Sequence, residues 1–184
     1  SDHPWKNFTG REDETDTFYT ILEQRVFTSY NSFYPSGTND FGVWQGAGFN
    51  SWTDGGLLLD YRGIITLTLA PRVFFAENKK YPTMDPVYGE YGYFVGGIDL
   101  PQRFGSDPYM KLTPGESELR FSYGSMSLGI GSQSVWLGPA RYNPLILGNN
   151  AGGFPHIDLT LEPLDTVIGE FEFTALWGYL SESE

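Results

Sequence analysis

Apolar and polar side chains alternate in several stretches of this chain, most regularly in residues 168–179. One set of alternate positions there is aromatic or small and apolar: Phe171, Phe173, Ala175, Trp177 and Tyr179. The positions between them are mostly polar: Glu170, Glu172, Thr174, Leu176 and Gly178. Successive side chains of a β-strand point to opposite faces, so this stretch predicts a strand with one apolar and one polar face.

The same period recurs in residues 116–131, which predict two strands joined by a turn at Gly124-Ser125. Residues 57–61 and 64–77 predict a hairpin around Arg62-Gly63, with Pro71 interrupting its second strand. Residues 17–30 predict a strand with imperfect alternation, and a helix from Phe18 to Phe27 is the alternative. All of these stretches together predict an all-β chain.

Three other segments are predicted to be turns or loops. Thr53–Gly56 has the composition of a tight turn, and residues 78–114 are interrupted by five prolines. Residues 134–165 are predicted as a long loop, rich in aromatic, Asn and Gly residues in its first part. A loop of this length inside a domain is usually functional or disordered, and its aromatic content argues against disorder.

Composition limits the classes of partner. The formal net charge is −12, which disfavours nucleic acids and anionic membrane surfaces. The chain contains no cysteine, so disulfides and cysteine-based metal sites are excluded. No run of about 18 apolar residues occurs, which excludes a transmembrane helix but leaves a transmembrane β-barrel open.

Alternation alone does not say which face is solvated. In a soluble β-sandwich the apolar faces form the core, whereas in a membrane barrel they face lipid and the polar faces line a wet interior. Two features favour the barrel: the length of the strand predicted at 64–77, and the aromatic residues at strand ends, Phe74, Phe75, Trp177 and Tyr179. We therefore predict an antiparallel transmembrane β-barrel.

Three segments resemble the Wzi-type capsule assembly family. They are residues 39–50, residues 98–105, and the stretch from Trp136 to Gly169 that contains the run Asn-Asn-Ala-Gly-Gly-Phe-Pro-His at 149–156. The resemblance implies a Gram-negative outer-membrane β-barrel that acts as a lectin for capsular polysaccharide. The family's barrel needs more than the seven to nine strands, roughly, that the turn signals predict here. The resemblance therefore implies one incomplete barrel domain over residues 1–184, an N-terminal or partial segment.

Eight residues are the candidates for contacting a glycan. Aromatic rings stack on sugars, amides and arginine form hydrogen bonds with hydroxyl or carboxylate groups, and a loop histidine can do so too. The candidates are Trp44, Gln45, Trp136, Arg141, Tyr142, Asn149, Asn150 and His156. The alternative is a loop that folds into the barrel as a plug, with Trp136 and Phe154 buried and the asparagines in turns.

Catalysis and metal binding are not predicted. His156 has no nearby histidine partner, and a packed or hydrogen-bonding role is favoured over metal ligation. Glu170 and Glu172 share a strand face, at a spacing that glycoside hydrolysis permits, but a polar barrel interior contains such pairs by default. We predict no catalytic residues and no cofactor.

The chain is thus predicted to be a non-catalytic outer-membrane protein that binds or anchors surface polysaccharide. Its expected partners are the polysaccharide, the lipid bilayer of the outer membrane and other envelope proteins, and not nucleic acid. The alternative is a soluble β-sandwich domain that binds or hydrolyses carbohydrate.

Overall fold

A computed structural model of the chain describes residues 17–37, 42–81, 107–136, 147, 152–167 and 169–180. These residues form nine β-strands and no helix. The strands are β1 (Phe18–Asn31), β2 (Gly48–Tyr61), β3 (Ile65–Leu69), β4 (Arg72–Ala76), β5 (Tyr109–Thr113), β6 (Glu118–Tyr123), β7 (Met126–Gly131), β8 (His156–Thr166) and β9 (Gly169–Gly178). Within the described part of the chain, no helix is long and apolar enough to span a membrane.

All nine strands belong to one antiparallel sheet. The long strand β2 pairs with β1 on one side and with both β3 and β4 on the other. Beyond them β3 pairs with β6 and β4 with β5, and β6, β7, β8 and β9 follow in order. When β3 and β4 are counted as two halves of one long strand, and β5 and β6 as two halves of the next, every long strand pairs with its neighbours in the chain. The sheet is therefore an antiparallel meander.

The connections between strands differ at the two ends of the sheet. At one end lie the short turns of residues 62–64, 124–125 and 167–168. The connections at the other end span residues 32–47, 77–108 and 132–155. We call these the short-turn end and the long-connection end.

One face of the sheet is apolar over most of its area, with Thr28, Ser51 and Thr53 as polar positions in β1 and β2. Side chains directly opposite each other in paired strands share a face. The register places Tyr19, Leu59, Leu67, Leu119, Ile130, Ile157 and Trp177 in one continuous row across seven strands. Most of this row is exposed, with Ile130 at 54% and Trp177 at 61%. We call this side the apolar face.

The opposite face is polar and mostly covered. Two of its rows are Thr66–Arg120–Gly129–Asp158–Leu176 and Thr68–Glu118–Gly131–His156–Gly178. Asp54 and Arg72, which pair across β2 and β4, continue the same face. Asp158 and His156 are each only 4% exposed. This polar face therefore carries most of the buried groups, including the apolar Leu58, Phe74 and Ala76, although Glu172 and Thr174 in β9 are exposed. The apolar face carries most of the exposed apolar groups.

Several predicted boundaries are corrected. Thr53–Gly56 is not a turn but lies inside β2, because β1 pairs with β2 on both sides of the glycines, while β4 pairs up to Asp54 and β3 pairs from Leu57 onward. Residues 134–165 are not one loop, since β8 begins at His156. Residues 78–114 contain the short strand β5 between Pro108 and Pro114. The helix considered for residues 18–27 is replaced by β1.

Candidate functional site

The polar face contains an ion cluster that joins β1, β2 and β4. Asp54 accepts hydrogen bonds from Arg25 Nε and Nη2 at 2.9 and 2.7 Å, and from Arg72 Nε and Nη2 at 3.1 and 2.6 Å. The Arg72 guanidinium is buried, while that of Arg25 is half exposed. Both guanidinium groups lie over the Trp52 ring, 5.1 and 5.9 Å from its centroid. Such contacts stabilise a cation that has lost part of its hydration.

A second ion network joins β6, β7 and β8. Arg120 Nη2 donates to Glu118 Oε1 and to both carboxylate oxygens of Asp158, the latter at 2.9 Å. Arg120 Nη1 donates to the Ser127 hydroxyl at 2.8 Å. A Cβ at Gly129 would overlap the charged ends of all three ionised residues, so the glycine leaves the room in which the network forms.

The segment before β2 folds back onto the polar face at the long-connection end. Gln45 and Ala47 are buried there. Gln45 Oε1 accepts from Ser29 Oγ at 2.7 Å, and Trp44 Nε1 donates to Asn78 Oδ1 at 3.3 Å. A Cβ at Gly46 would meet Asn78, so the close approach of this segment depends on glycine.

His156 lies between two glycines on the polar face. Its register partners are Gly131 in β7 and Gly178 in β9. The imidazole Nδ1 lies 2.7 Å from the Phe154 carbonyl oxygen. Because a carbonyl oxygen only accepts, Nδ1 donates its proton to it, and in the neutral imidazole Nε2 is then the acceptor. The Phe154 ring also contacts the imidazole, with centroids 5.3 Å apart.

Glu77 fixes the chain just beyond β4, outside the strands. Its carboxylate accepts the Phe49 backbone N–H at 2.8 Å and lies 2.9 Å from Lys79 Nζ. These two contacts, the backbone hydrogen bond first, hold the pKa of Glu77 below its usual value. The same Glu77 contact raises the pKa of Lys79.

Four of the eight sequence-predicted residues lie in the described structure: Trp44, Gln45, Trp136 and His156. Trp44, Gln45 and Trp136 follow or precede strands at the long-connection end, and His156 begins β8 from that side. Arg141, Tyr142, Asn149 and Asn150 lie outside the described residues.

Sequence reasoning missed the two ion networks. The acidic and basic partners are far apart in the chain, as in Arg120 and Asp158, and only strand pairing brings them together. The sequence did contain a partial signal. Charged residues stand at alternate positions at Glu118 and Arg120, and small residues stand at alternate positions at Ser127, Gly129 and Gly131.

The chemistry of this face is that of ion pairing and hydrogen bonding. Glu118 and Asp158 both accept hydrogen bonds from the Arg120 guanidinium, so the three side chains form one network of paired charges. Among the described residues, no group of three or more His, Asp or Glu side chains is placed to hold a metal ion.

Comparison of the chain with protein-family models gave no match, and neither did comparison with curated proteins or with solved structures. The similarity to the Wzi-type family therefore stays a sequence-based prediction.

Proposed function

We propose that this chain forms part of the wall of an outer-membrane β-barrel and that it binds a surface polysaccharide without catalysis. The apolar face would contact lipid, and the polar face would line a hydrated interior. Wzi-like capsule assembly is the role that its sequence resemblance favours.

The observation that carries the membrane part is the distribution of burial between the two faces. A protein that is surrounded by water buries apolar side chains in its core and exposes charged ones. Here Arg72 and Asp158 are 3% and 4% exposed, while Leu128 and Phe173 are 49% and 48% exposed. An apolar face that is continuous over the whole sheet needs an apolar solvent or a cover.

The dimensions of the apolar face support the same proposal. From Phe49 to Tyr61, β2 extends about 40 Å at about 3.3 Å per residue. A strand tilt of about 40° reduces this height to about 30 Å, close to the ~25 Å apolar band of outer-membrane barrels. Exposed aromatic residues lie near both limits: Tyr30, Phe49, Trp177 and Tyr179 at the long-connection end, and Tyr61 and Tyr123 at the short-turn end. Aromatic girdles occupy these depths in membrane barrels.

The connections also agree with a membrane barrel. Outer-membrane barrels have short periplasmic turns and long external loops. Long connections at one end only, as seen here, would place residues 32–47, 77–108 and 132–155 on the cell surface, where polysaccharide is met.

Adjacent residues on opposite faces of β9 provide the test. Phe173→Arg puts a charge on the apolar face and Thr174→Arg puts the same charge on the polar face. If the sheet spans a membrane, we expect Phe173→Arg to lower the free energy of unfolding in lipid vesicles by about 2–4 kcal/mol, which is the cost of a charged side chain near the bilayer centre. Thr174→Arg, as the matched control, should change it by less than about 1 kcal/mol.

A soluble β-sandwich would have the same apolar face as its core, so it also predicts that Phe173→Arg destabilises the protein, but in plain buffer. The solvent therefore distinguishes the two: a protein that is folded and monodisperse in plain buffer without detergent would show that the membrane proposal is wrong. The polysaccharide proposal is tested separately on a glycan array with the detergent-solubilised protein, and with Arg141→Ala as a variant. Failure to bind any polysaccharide would remove that part of the proposal and leave the membrane part intact.

A further inference from the structure

Two buried amide oxygens on the sheet lack a hydrogen-bond donor. Among the described residues, the buried side-chain polar atoms without a partner are Asn50 Oδ1, Gln133 Oε1 and Tyr81 Oη. The first two only accept hydrogen bonds. A buried acceptor without a donor is unfavourable until a donor is supplied, so these positions suit a ligand that donates.

Gln133 is the more informative of the two, because its neighbours are defined on both sides. A Cβ at Gly131 would overlap Gln133 Oε1, and a Cβ at Gly178 would overlap the Phe154 ring. Gly131 and Gly178 are the two register partners of His156. The amide oxygen and the aromatic ring therefore lie on either side of the imidazole, each over a glycine. Gln133 is 4% exposed.

This arrangement combines the two contacts by which proteins hold a sugar ring. The Phe154 ring offers an apolar surface for the C–H groups of a sugar, and Gln133 Oε1 and His156 Nε2 accept from hydroxyl groups. Gln133 and Phe154 carry no charge, and because the Nδ1–H of His156 donates to the Phe154 carbonyl, the nitrogen that the neutral imidazole offers to a hydroxyl group is Nε2.

The arginines in the strands are already engaged with carboxylates. Arg25 and Arg72 share Asp54, and Arg120 lies between Glu118 and Asp158. The whole chain carries a net charge of −12. A negatively charged polymer would meet hydrogen-bond acceptors at this site and the net negative charge of the chain, whereas an uncharged, hydroxyl-rich polymer would supply donors to these acceptors without that repulsion.

We propose that the polysaccharide recognised by this chain is uncharged, and that one of its sugar units binds at the subsite formed by Gln133, His156 and Phe154. The inference rests on the proposed polysaccharide-binding function and specifies its substrate class.

The test compares polymers that differ only in charge. Polygalacturonate, alginate and hyaluronate are each paired with their carboxyl-reduced forms, and dextran and mannan are added as neutral polymers. Binding to the immobilised, detergent-solubilised full chain is measured with EDTA present, so that metal ions cannot bridge carboxylates. One sugar carboxylate about 7 Å from one excess negative charge weakens binding by a factor of about three in a water-like dielectric. We expect reduced forms to bind about tenfold more tightly than their parents, with the gap narrowing as salt is added.

Variants locate the subsite. Gln133→Leu removes the acceptor at similar volume and should weaken binding of the tightest neutral polymer about fivefold to tenfold. Phe154→Leu keeps an apolar group over Gly178 but removes the ring, and serves as a second variant with the same expected direction. Gln24→Leu, at an exposed glutamine of β1, is the matched control and should leave the affinity unchanged.

The outcomes separate the two proposals. If parent polymers bind as tightly as their reduced forms, or more tightly, the charge inference is overturned while polysaccharide binding stands. If both Gln133→Leu and Phe154→Leu keep full affinity, the subsite is wrong. If no polymer binds, the proposed function fails first and the inference fails with it.

Discussion

At Gly56 the absence of a side chain lets β2 lie unusually close to the chain leaving β3. A Cβ there would overlap the Leu69 carbonyl oxygen and approach the Ala70 Cα, which are backbone atoms and cannot rotate away. Gly55, the adjacent residue, would meet only Gln24, with its Cα at 3.2 Å. The close approach of the strands therefore requires glycine more strictly at position 56 than at position 55.

We expect Gly56→Ala to lower the free energy of unfolding by more than about 2 kcal/mol, because the strands must separate to admit the methyl group. Gly55→Ala should cost less than about 1 kcal/mol. Urea unfolding of both variants in detergent measures the difference. Equal costs for the two substitutions would show that the close approach at Gly56 contributes little.

Glu77 provides a pH-dependent contact at the residue scale. Its pKa is lowered from 4.5, first by the Phe49 N–H and then by Lys79. A lowered pKa means that the stabilising contribution is present above the ordinary carboxyl pKa and is lost as pH falls through the lower folded-state value.

Lys79→Met should therefore raise the pKa of Glu77 only in part and leave it below 4.5. NMR titration of the Glu77 carboxyl measures this, and Lys80→Met at the next residue is the control, with no change expected. A pKa that returns fully to the ordinary value in Lys79→Met would mean that the Phe49 hydrogen bond has little influence.

At the scale of elements, Asp54 connects three strands through two arginines. The Arg72 side chain is 4% exposed and that of Asp54 is 3% exposed, so neither has water as a substitute partner. The Arg25 side chain is 49% exposed and is partly solvated. Removing one member of a buried ion pair leaves an uncompensated charge, which costs more than the pair itself contributes.

Asp54→Asn is expected to destabilise the sheet by about 3–5 kcal/mol, and Arg25→Met by about 1 kcal/mol or less. Because Asp54→Asn leaves the Arg72 charge buried, adding Arg72→Met should recover part of the loss. A double-mutant cycle by chemical unfolding measures this recovery. Strictly additive effects of the two substitutions would contradict the buried ion pair.

The sequence predicted most strands because their faces alternate, and it failed where bulges shift the alternation. In β1 the pairing moves from Leu22–Gly56 to Arg25–Asp54, so one extra residue changes which positions share a face. Tyr19 and Ile21 lie on the apolar face before the bulge, and Val26 and Tyr30 lie on it after the bulge. No single period of two covers both halves, which is why the apolar face of this strand was left open.

The other features that the sequence did not predict have related causes. Another bulge lies where β3 and β4 pair with β5 and β6, since three residues lie between Thr68 and Arg72 but four lie between their partners Thr113 and Glu118. Gly115, with φ of 61°, takes the conformation that this extra residue requires. The subsite around His156 depends on which side chains cover Gly131 and Gly178, and sequence spacing does not contain that information.

At the scale of the whole molecule, the two ends of the sheet differ in a way that labelling can detect. The chain has no cysteine, so a single introduced thiol is unique. Ser36 lies in a long connection and Ser125 in a short turn, and both are exposed.

In sealed vesicles, Ser36→Cys and Ser125→Cys should react with a membrane-impermeant maleimide from opposite sides. The same reagent added after detergent should label both, which controls for reactivity. Labelling of both thiols from one side of intact vesicles would rule out a spanning sheet.

The order of pairing along the chain also sets an order of assembly. Since each long strand has its sequence neighbours as its spatial neighbours, closing a hairpin brings together segments that are synthesised one after the other. The sheet can grow by adding one hairpin at a time to an existing edge, with no strand required to thread between two that are already joined. A fault in one hairpin would then halt growth at that point and leave the earlier hairpins paired.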